Sequence, residues 1–166
     1  MTSVQTCLWF DGHIDEAAEF YISLLPGSKI LGRSQYEQGS GPPDGPDMTG
    51  QALTVDLELA GVPYTLLNGG PQFPLSEAVS IVVTVDSQEE VDRLWDAIVG
   101  NGGRESQCGW CSDCFGLSWQ IVPQQLNDLL AGPHAEAVMT EMMQQVKLDI
   151  ARLGENIRQY LHSFNF

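Results

Sequence analysis

The stretch VQTCLWFDGHIDEAAEFYISLL, residues 4–25, places a strand, a turn and a helix in immediate succession. Val4 to Phe10 has the apolar character of a buried strand, and it ends at the turn signal Asp11-Gly12. From Ile14 to Leu25 the apolar side chains recur at spacings of three and four, which predicts an amphipathic helix. Pro26-Gly27 then ends this helix. The stretch therefore predicts a β-α unit at the start of the chain.

Three further strands are predicted after this helix. Lys29 to Tyr36 is the first candidate, and the Gly- and Pro-rich segment Gly39 to Gly50 is a loop. From Leu53 to Leu59 apolar residues alternate strictly with polar ones, which is the clearest strand pattern in the chain. Ala60-Gly61 turns this strand into Pro63 to Asn68, so the two form a hairpin.

The same order of elements starts again after Gly69-Gly70-Pro71. Val79 to Val85 is a β-branched strand, and a helical stripe from Val91 to Val99 follows it. Asp86 lies 75 residues after Asp11, which is the offset of an internal repeat. Three more strands are predicted at Arg104 to Cys108, Trp110 to Ser112 and Leu117 to Val122.

Strand, helix and three strands, taken twice, predict an α+β fold of two βαβββ repeats. We expect the halves 1–72 and 73–123 to form one curved mixed sheet, with helices outside and a cleft inside. Residues 124–166 are predicted to be a C-terminal helical extension. Gly154 is expected to break this extension into two helices, which pack on their own domain or on a partner subunit. Its apolar stripe consists of Val138, Met142, Val146, Ile150, Leu153, Ile157 and Leu161.

Composition limits the possible partners. The chain has 22 acidic residues against 7 Lys and Arg, and its formal net charge of −15 disfavours nucleic acids and anionic membranes. A hydrophobic content of 43% is enough for a packed core. Met1 to Gln5 shows no signal-peptide pattern, and no apolar run approaches the roughly 20 residues of a membrane helix. We therefore expect a cytoplasmic protein whose four cysteines are thiols.

Several motifs in this order resemble the PhnB-like proteins, also called the 3-demethylubiquinone-9 3-methyltransferase-like family. That family belongs to the vicinal oxygen chelate superfamily, which includes glyoxalases and bleomycin-resistance proteins. The resemblance spans nearly the whole chain, and it implies a homodimer with a cleft in each sheet. The motifs are Leu8 to Gly12, Glu16 to Tyr21, Leu67 to Pro71, Cys108 to Trp110, Phe115 to Pro123 and Val138 to Ile150.

The resemblance also indicates where a metal site would lie. Metal-dependent members of the superfamily present His and Glu side chains from the first and last strands of each half. This chain has Gln120 where those enzymes place Glu, and Gln72 where relatives often carry His. Its first strand contains no His. Because neutral amides are poor ligands for a transition metal, we expect no metal ion and no cofactor.

Cys108, Cys111 and Cys114 form a C-x-x-C-x-x-C run. Such a run is compatible with a zinc or iron–sulfur site, with a redox-active pair, or with ordinary packing and surface thiols. Three ligands need a fourth, and no nearby His or Cys supplies it. The spacing also crosses a predicted hairpin, which favours ordinary thiols.

Seven residues are candidates for binding a small-molecule ligand. Tryptophans near sheet positions line a pocket for a flat organic molecule or pack in the core, and both interpretations stay open. Asp56 is a general base if it faces the cleft, or part of a solvated sheet face if it does not. Gln120 is predicted on the face of the last strand opposite Trp119. The candidates are Trp9, Asp56, Asn68, Gln72, Trp110, Trp119 and Gln120.

Two functional classes remain open, and no catalytic residue is assigned. The first is a protein that binds a small organic molecule in a metal-free cleft. The second is an enzyme acting on such a molecule, with methyltransferase-like or glyoxalase/lyase-like chemistry. A methyl donor normally sits on a Gly-rich turn after the first strand of a doubly wound sheet, and Asp11-Gly12-His13 lacks such a glycine cluster. A third hypothesis, an interaction module, rests on the helical extension alone.

Overall fold

The computed structural model describes residues 2–42 and 45–155. The chain divides into two compact units, the first ending at Leu75 and the second beginning at Ser76. Each unit contains a strand, a helix and three further strands, so the two predicted βαβββ repeats are confirmed. The strands form two four-stranded sheets, one in each unit. The finer predicted boundaries at residues 72 and 123 stay predictions.

The first unit has a mixed sheet in the order β1-β4-β3-β2. Strands β1 and β4 are parallel, and the other two pairs are antiparallel. The chain therefore crosses from one edge to the other through the helix and returns to the centre through the β3–β4 hairpin. The elements are β1 (Thr6–Phe10), α1 (Ile14–Leu24), β2 (Lys29–Gln35), β3 (Ala52–Leu59) and β4 (Val62–Asn68).

Helix α1 covers one face of this sheet. Alternation along the strands turns Leu8, Val55 and Leu66 toward the helix, and all three are buried. The helix offers Ala17 and Ala18 to them, and both are fully buried, which allows close packing of the helix on the sheet. The core of the first unit therefore follows from the alternation of apolar residues along its strands and from their spacing of three and four along α1.

The second unit repeats this arrangement with the order β5-β8-β7-β6. Its helix buries Leu94 and Trp95, and the sheet contributes Trp119 and Ile121 to the same core. Ser87 caps the helix by accepting a hydrogen bond from the Glu90 N–H, a contact worth about 1 kcal/mol. The elements are β5 (Ser80–Val85), α2 (Gln88–Gly100), β6 (Arg104–Glu105), β7 (Trp110–Ser112) and β8 (Ser118–Pro123).

Strand β6 is shorter than the strand predicted for Arg104 to Cys108. The backbone turns at Cys108 and Gly109, where φ is 60° and 82°. Their N–H groups donate to the carbonyls of Gln145 and Val146, both at 2.8 Å, instead of joining a strand ladder. The C-terminal region thus takes the hydrogen bonds that a longer β6 would need.

The C-terminal region is helical, but the predicted stripe is interrupted. Helices α3 (Gln124–Leu130) and α4 (Ala135–Met142) follow the last strand, and helix resumes at residues 150–155. Residues 143–149 are not helical, so the interruption among the described residues precedes Gly154, which itself lies in the helix at 150–155. The physical reason is the pairing of two carbonyls in 143–149 with the β6–β7 turn. Ile157 and Leu161 lie outside the described residues.

The described part of this extension packs on its own unit. A buried cluster joins Leu126, Val138, Leu148 and Leu153. The Gln88 side chain of α2 donates to the Leu148 carbonyl at 3.1 Å and accepts from the Ile150 N–H at 2.9 Å. No described helix has the length and apolar character that crossing a bilayer requires.

Asp113 organises the turn between β7 and β8. Its side chain is 4% exposed. One carboxylate oxygen accepts from the N–H groups of Phe115 and Leu117 at 2.9 and 3.0 Å, and the other accepts from Trp119 Nε1 at 2.9 Å. One buried carboxylate thus satisfies three donors and orients a fully buried indole.

Replacing Asp113 tests this role. Asp113→Ala leaves three donors unpaired, so we expect the free energy of unfolding to fall by about 3 kcal/mol, measured by urea denaturation. Asp113→Asn keeps an acceptor for the two backbone groups and is expected to lose less. The exposed Asp96→Ala in the same unit serves as the control, with a change within about 0.5 kcal/mol. A loss below about 1 kcal/mol in Asp113→Ala would contradict the assigned role.

Candidate functional site

The face of the first sheet opposite α1 carries a mixed set of polar and aromatic side chains. Strand registers place Cys7, Thr65 and Asp56 in one row across β1, β4 and β3. Trp9, Leu67 and Thr54 form the next row on the same face. We call this surface the first open face, and it consists of Cys7, Trp9, Thr54, Asp56, Thr65 and Leu67.

A hydrogen-bonded chain crosses the first open face. Gln5 Nε2 donates to Thr65 Oγ1, and Thr65 Oγ1 donates to Asp56 Oδ1, both at 2.5 Å. These contacts fix the orientation of the Asp56 carboxylate. Within the described residues its second oxygen has no hydrogen-bond partner, so it remains available to a ligand or to a proton.

Cys7 lies in the same row and is a weak nucleophile. Partial burial raises the pKa of its thiol, and the negative charge of Asp56 raises this pKa further. Because the thiolate is the reactive species, Cys7 stays protonated at neutral pH. The row therefore presents one carboxylate and one neutral thiol.

Trp9 is held at the end of the first open face by the loop that follows β4. Its indole Nε1 donates to the Gly70 carbonyl at 2.7 Å, and its ring meets Phe73 edge-on with a centroid separation of 5.0 Å. A side chain at Gly69 would collide with the Trp9 ring, which explains a glycine there. Gln72 lies in the same loop and is exposed. The Asn-Gly-Gly-Pro motif, residues 68–71, thus holds the Trp9 ring in place through a backbone carbonyl and a close packing contact.

Asn68 faces α1 instead of the open face. It is 4% exposed, its Oδ1 accepts from the Gly12 N–H, and its Nδ2 donates to the Ala52 carbonyl, each at 3.0 Å. Its backbone carbonyl accepts from the Tyr36 hydroxyl at 2.5 Å. A cavity of about 430 Å³ adjoins it at the start of the helix. Both ends of the amide are occupied, which favours a structural role for Asn68.

The second sheet has an open face of its own. Val82, Gln120 and Trp110 form one row across β5, β8 and β7, and Ser80, Ser118 and Ser112 form the next. Gln120 Nε2 donates to Ser80 Oγ at 2.8 Å. We call this surface the second open face, and it consists of Ser80, Val82, Trp110, Ser112, Ser118 and Gln120.

The structure separates the predicted ligand residues into two groups. Trp9 and Asp56 share the first open face, and Trp110 and Gln120 share the second. Trp119 points to the opposite side, is fully buried and donates to Asp113, which favours the core interpretation. The sequence analysis missed Gln5 and Thr65. Thr65 was detectable from strand alternation, whereas the contact of Gln5 joins residues 60 positions apart and leaves no local signal.

The cysteine run does not converge on one point. Cys108 lies in the β6–β7 turn, Cys111 is 2% exposed, and Cys114 is exposed. Burial, with a smaller contribution from the charges of Asp113 and Glu105, raises the pKa of Cys111 to about 12. Among the described residues, no three His, Cys, Asp or Glu side chains are placed to hold a metal ion. This geometry supports ordinary thiols.

Comparison with known proteins agrees with the motifs. The model of the family described as 3-demethylubiquinone-9 3-methyltransferase matches residues 2–122. No curated protein matches the chain by sequence.

Several solved structures are similar to this chain, and the first two named here share its fold. A putative 3-demethylubiquinone-9 3-methyltransferase, PhnB protein, from Bacillus cereus is 25% identical with a TM-score of 0.63, over 74% of this chain and 99% of that one. Protein PA1353 from Pseudomonas aeruginosa is 22% identical with a TM-score of 0.59, over 74% and 98%. The fosfomycin resistance protein FosX from Listeria monocytogenes, complexed with Mn(II) and sulfate, is 12% identical with a TM-score of 0.49, over 74% and 89%. The predicted PhnB-like family and α+β fold are confirmed.

The geometry of the first open face predicts the reactivity of Cys7. Asp56→Asn removes the negative charge that raises the Cys7 pKa, so the thiolate fraction rises. We expect Cys7 to react with iodoacetamide at pH 8 roughly twofold faster or more in this variant, measured by mass spectrometry. Cys114 in the same molecule is the internal control, and Cys111 stays unmodified while the protein is folded. An unchanged ratio of the Cys7 and Cys114 rates would contradict the placement of Asp56.

Proposed function

The chain belongs to the 3-demethylubiquinone-9 3-methyltransferase family, and on that premise we propose that it binds a small organic molecule on its open faces without a metal ion. The observation that carries the proposal is the composition of these faces. Each combines a partly exposed tryptophan, Trp9 or Trp110, with hydroxyl groups, and the second face adds the neutral amide of Gln120. Apolar and aromatic surfaces with a few fixed polar groups are typical of small-molecule sites.

Exposed apolar area on the second open face supports this proposal. Val82 is 55% exposed although it lies in a strand beside Gln120. Gln120 is held by Ser80 and keeps its amide oxygen, without a partner among the described residues, for a ligand donor. Ligand binding at this point would cover the apolar surface and satisfy that oxygen together.

The donor groups do not fit a transition metal. Gln120, at the position where metal-dependent relatives place Glu, uses its amide in a bond to Ser80. The two carboxylates of β3 are engaged separately, because Asp56 accepts from Thr65 and Glu58 lies 3.4 Å from Lys29 Nζ. An amide cannot compensate a divalent charge as a carboxylate does. The proposed binding therefore uses the protein's own groups.

An enzyme acting on a small organic substrate is the alternative, with methyltransferase-like or glyoxalase/lyase-like chemistry. The specific observation in its favour is Asp56, whose orientation is fixed through Thr65 and Gln5 and whose second oxygen has no partner in the described part of the chain. A carboxylate held in this way suits a general base. In that case Asp56→Asn would abolish turnover while ligand affinity persists, whereas a pure binding protein shows no turnover to lose.

We also propose that the protein is a cytoplasmic homodimer. Large apolar side chains are exposed at several points, including Val4 at 86% and Phe73 at 64%. Strands β2 and β6 are sheet edges with unpaired backbone groups in the described chain. A second copy would cover such features. The strong negative charge disfavours nucleic acid and anionic membranes as partners.

Ligand binding is tested by a thermal-shift screen with a library of small organic acids, amides and aromatic compounds. At 100 times its Kd a ligand stabilises the protein by about 2.7 kcal/mol, which raises Tm by about 5–10 °C. We expect the same shift after treatment with a chelator, and no stoichiometric transition metal by elemental analysis. If chelation removed the shift, the metal-free proposal would be wrong.

A matched pair of variants locates the binding surface. Val82→Asp places a charge on the second open face and is expected to weaken binding. Val62→Asp makes the same change at a residue of similar exposure, 50% against 55%, on the helix side of the first sheet. It should leave affinity within about twofold, as expected for a surface substitution away from the site. Equal affinities in both variants would exclude a ligand on the second open face.

The dimer is tested by light scattering on the protein at micromolar concentration. We expect a mass of about twice the 18.2 kDa of one chain. A single species of 18.2 kDa at all concentrations up to about 100 μM would contradict the proposal.

A further inference from the structure

A cavity of about 240 Å³ adjoins the second open face where β6, β7 and β8 lie side by side. It is smaller than the roughly 300–1,000 Å³ of pockets that enclose a whole drug-sized ligand. Its size suits one functional group of a ligand whose remainder lies outside. The lining residues are Glu77, Arg104, Glu105, Ser106, Trp110, Cys111, Ser112 and Ser118.

Arg104 is the cation of this cavity, and it differs from the other described cations. Each of the other five lies within 4.0 Å of a carboxylate, and these residues are Lys29, Arg33, Arg93, Lys147 and Arg152. Within residues 2–42 and 45–155, Arg104 has neither an ion pair nor a side-chain hydrogen bond. The chain has 22 carboxylates for 7 cations, so its unpaired state does not come from a shortage of acids.

The indole N–H of Trp110 also differs from those of the other three tryptophans, because it has no hydrogen-bond acceptor among the described residues. The other three tryptophans donate their Nε1–H to Gly70, Glu105 and Asp113, at 2.7, 3.0 and 2.9 Å. Trp110 has no acceptor for its indole in the described structure. The only unpaired indole donor and the only unpaired guanidinium of the described chain therefore line one cavity.

Three serines add hydroxyl donors to this set. Ser118 is 3% exposed, and no described group is hydrogen-bonded to its hydroxyl. It lines the cavity, so its hydroxyl is available as a donor to a ligand there. Ser106 and Ser112 line the same space, likewise without side-chain bonds among the described residues.

The two glutamates of the lining do not neutralise Arg104. Glu105 accepts the Trp95 indole N–H at 3.0 Å, on the helix side of the sheet. Glu77 is exposed, and it does not approach the guanidinium within the 4.0 Å of an ion pair in the described chain. The cavity therefore combines a free positive charge with several neutral donors, and an oxyanion is the group that matches both.

We propose that this cavity binds the anionic group, a carboxylate or a phosphate-type group, of a small organic acid. Arg104 provides a planar pair of donors, and Trp110 Nε1 and Ser118 Oγ provide neutral ones. The rest of the ligand lies over the second open face beside Gln120. This inference rests on the proposed function and narrows it to acidic ligands.

The test follows the four indole N–H signals in ¹H–¹⁵N spectra while probes are added at constant ionic strength. The Trp110 signal is identified by its loss in Trp110→Phe. Benzoate and inorganic phosphate are the anionic probes, and benzamide is the neutral analogue of benzoate. We expect the Trp110 signal to shift with at least one anion and not with benzamide. A response to benzoate alone indicates a carboxylate ligand, and a response to phosphate alone indicates a phosphate-type ligand.

Variants of the cation complete the test. Arg104→Gln should weaken the responding anion about tenfold or more, because a charged hydrogen-bond partner is lost. Arg104→Lys keeps the charge without the planar fork and should give an intermediate affinity. Arg93→Gln removes a guanidinium from the same unit, outside the cavity, and should leave affinity within about twofold. Unchanged Tm values exclude unfolding as the cause.

The outcomes separate this inference from the proposed function. No anion-dependent shift of Trp110, or equal affinity in Arg104→Gln, overturns the anionic site. If the thermal-shift screen yields neutral ligands alone, and these bind Arg104→Gln as tightly as wild type, the narrowing to acidic ligands is overturned while the proposed function stands. Anion binding that Arg104→Gln abolishes, without any organic ligand on the open faces, sustains the site and overturns the proposed function.

Discussion

Burial of one face of each four-stranded sheet beneath a single helix is the constraint on which the other features depend. Side chains alternate between the two faces of a strand, so covering one face also decides which side chains remain on the other. In the first unit Leu8 and Val55 lie under α1, and their neighbours Cys7 and Asp56 are therefore on the open face. A one-residue slip in register would exchange the core for the candidate site.

Buried polar side chains hold the turns that make this packing possible. Asn68 joins the turn after β1 to the start of β3, and Asp113 joins the β7–β8 turn to the indole of Trp119. Both lie in or beside motif segments, and both use their polar atoms within the protein. The polar side chains of Asn68 and Asp113 thus satisfy hydrogen-bonding groups of the protein itself, which are costly to bury without partners.

In the described chain, the charged groups that form ion pairs with one another differ from the group that is available to a ligand. An excess of carboxylates provides every described cation except Arg104 with a partner, and burial with neighbouring acids keeps Cys7 and Cys111 protonated. Reactive thiolate chemistry is thereby disfavoured at both positions. Arg104 and the indole of Trp110, both without a partner in the described part of the chain, line one cavity beside the second sheet. In the described part of the chain Arg104 is the one guanidinium or ammonium group without an ion pair, and the proposed preference for oxyanions rests on it.

The sequence by itself determined the two βαβββ repeats and the face on which Asp56 and Gln120 lie, because helical and strand periodicities are local patterns. It also indicated the family, through motifs that the match over residues 2–122 confirms. Only the tertiary structure decided that Asn68 and Trp119 face the core, that β6 stops at Glu105, and that residues 143–149 interrupt the C-terminal helices. Each of these depends on partners distant in the chain, such as the N–H of Cys108 donating to the carbonyl of Gln145. The same holds for Arg104, whose lack of a partner among the described residues is a property of the folded arrangement and cannot be read from the local sequence.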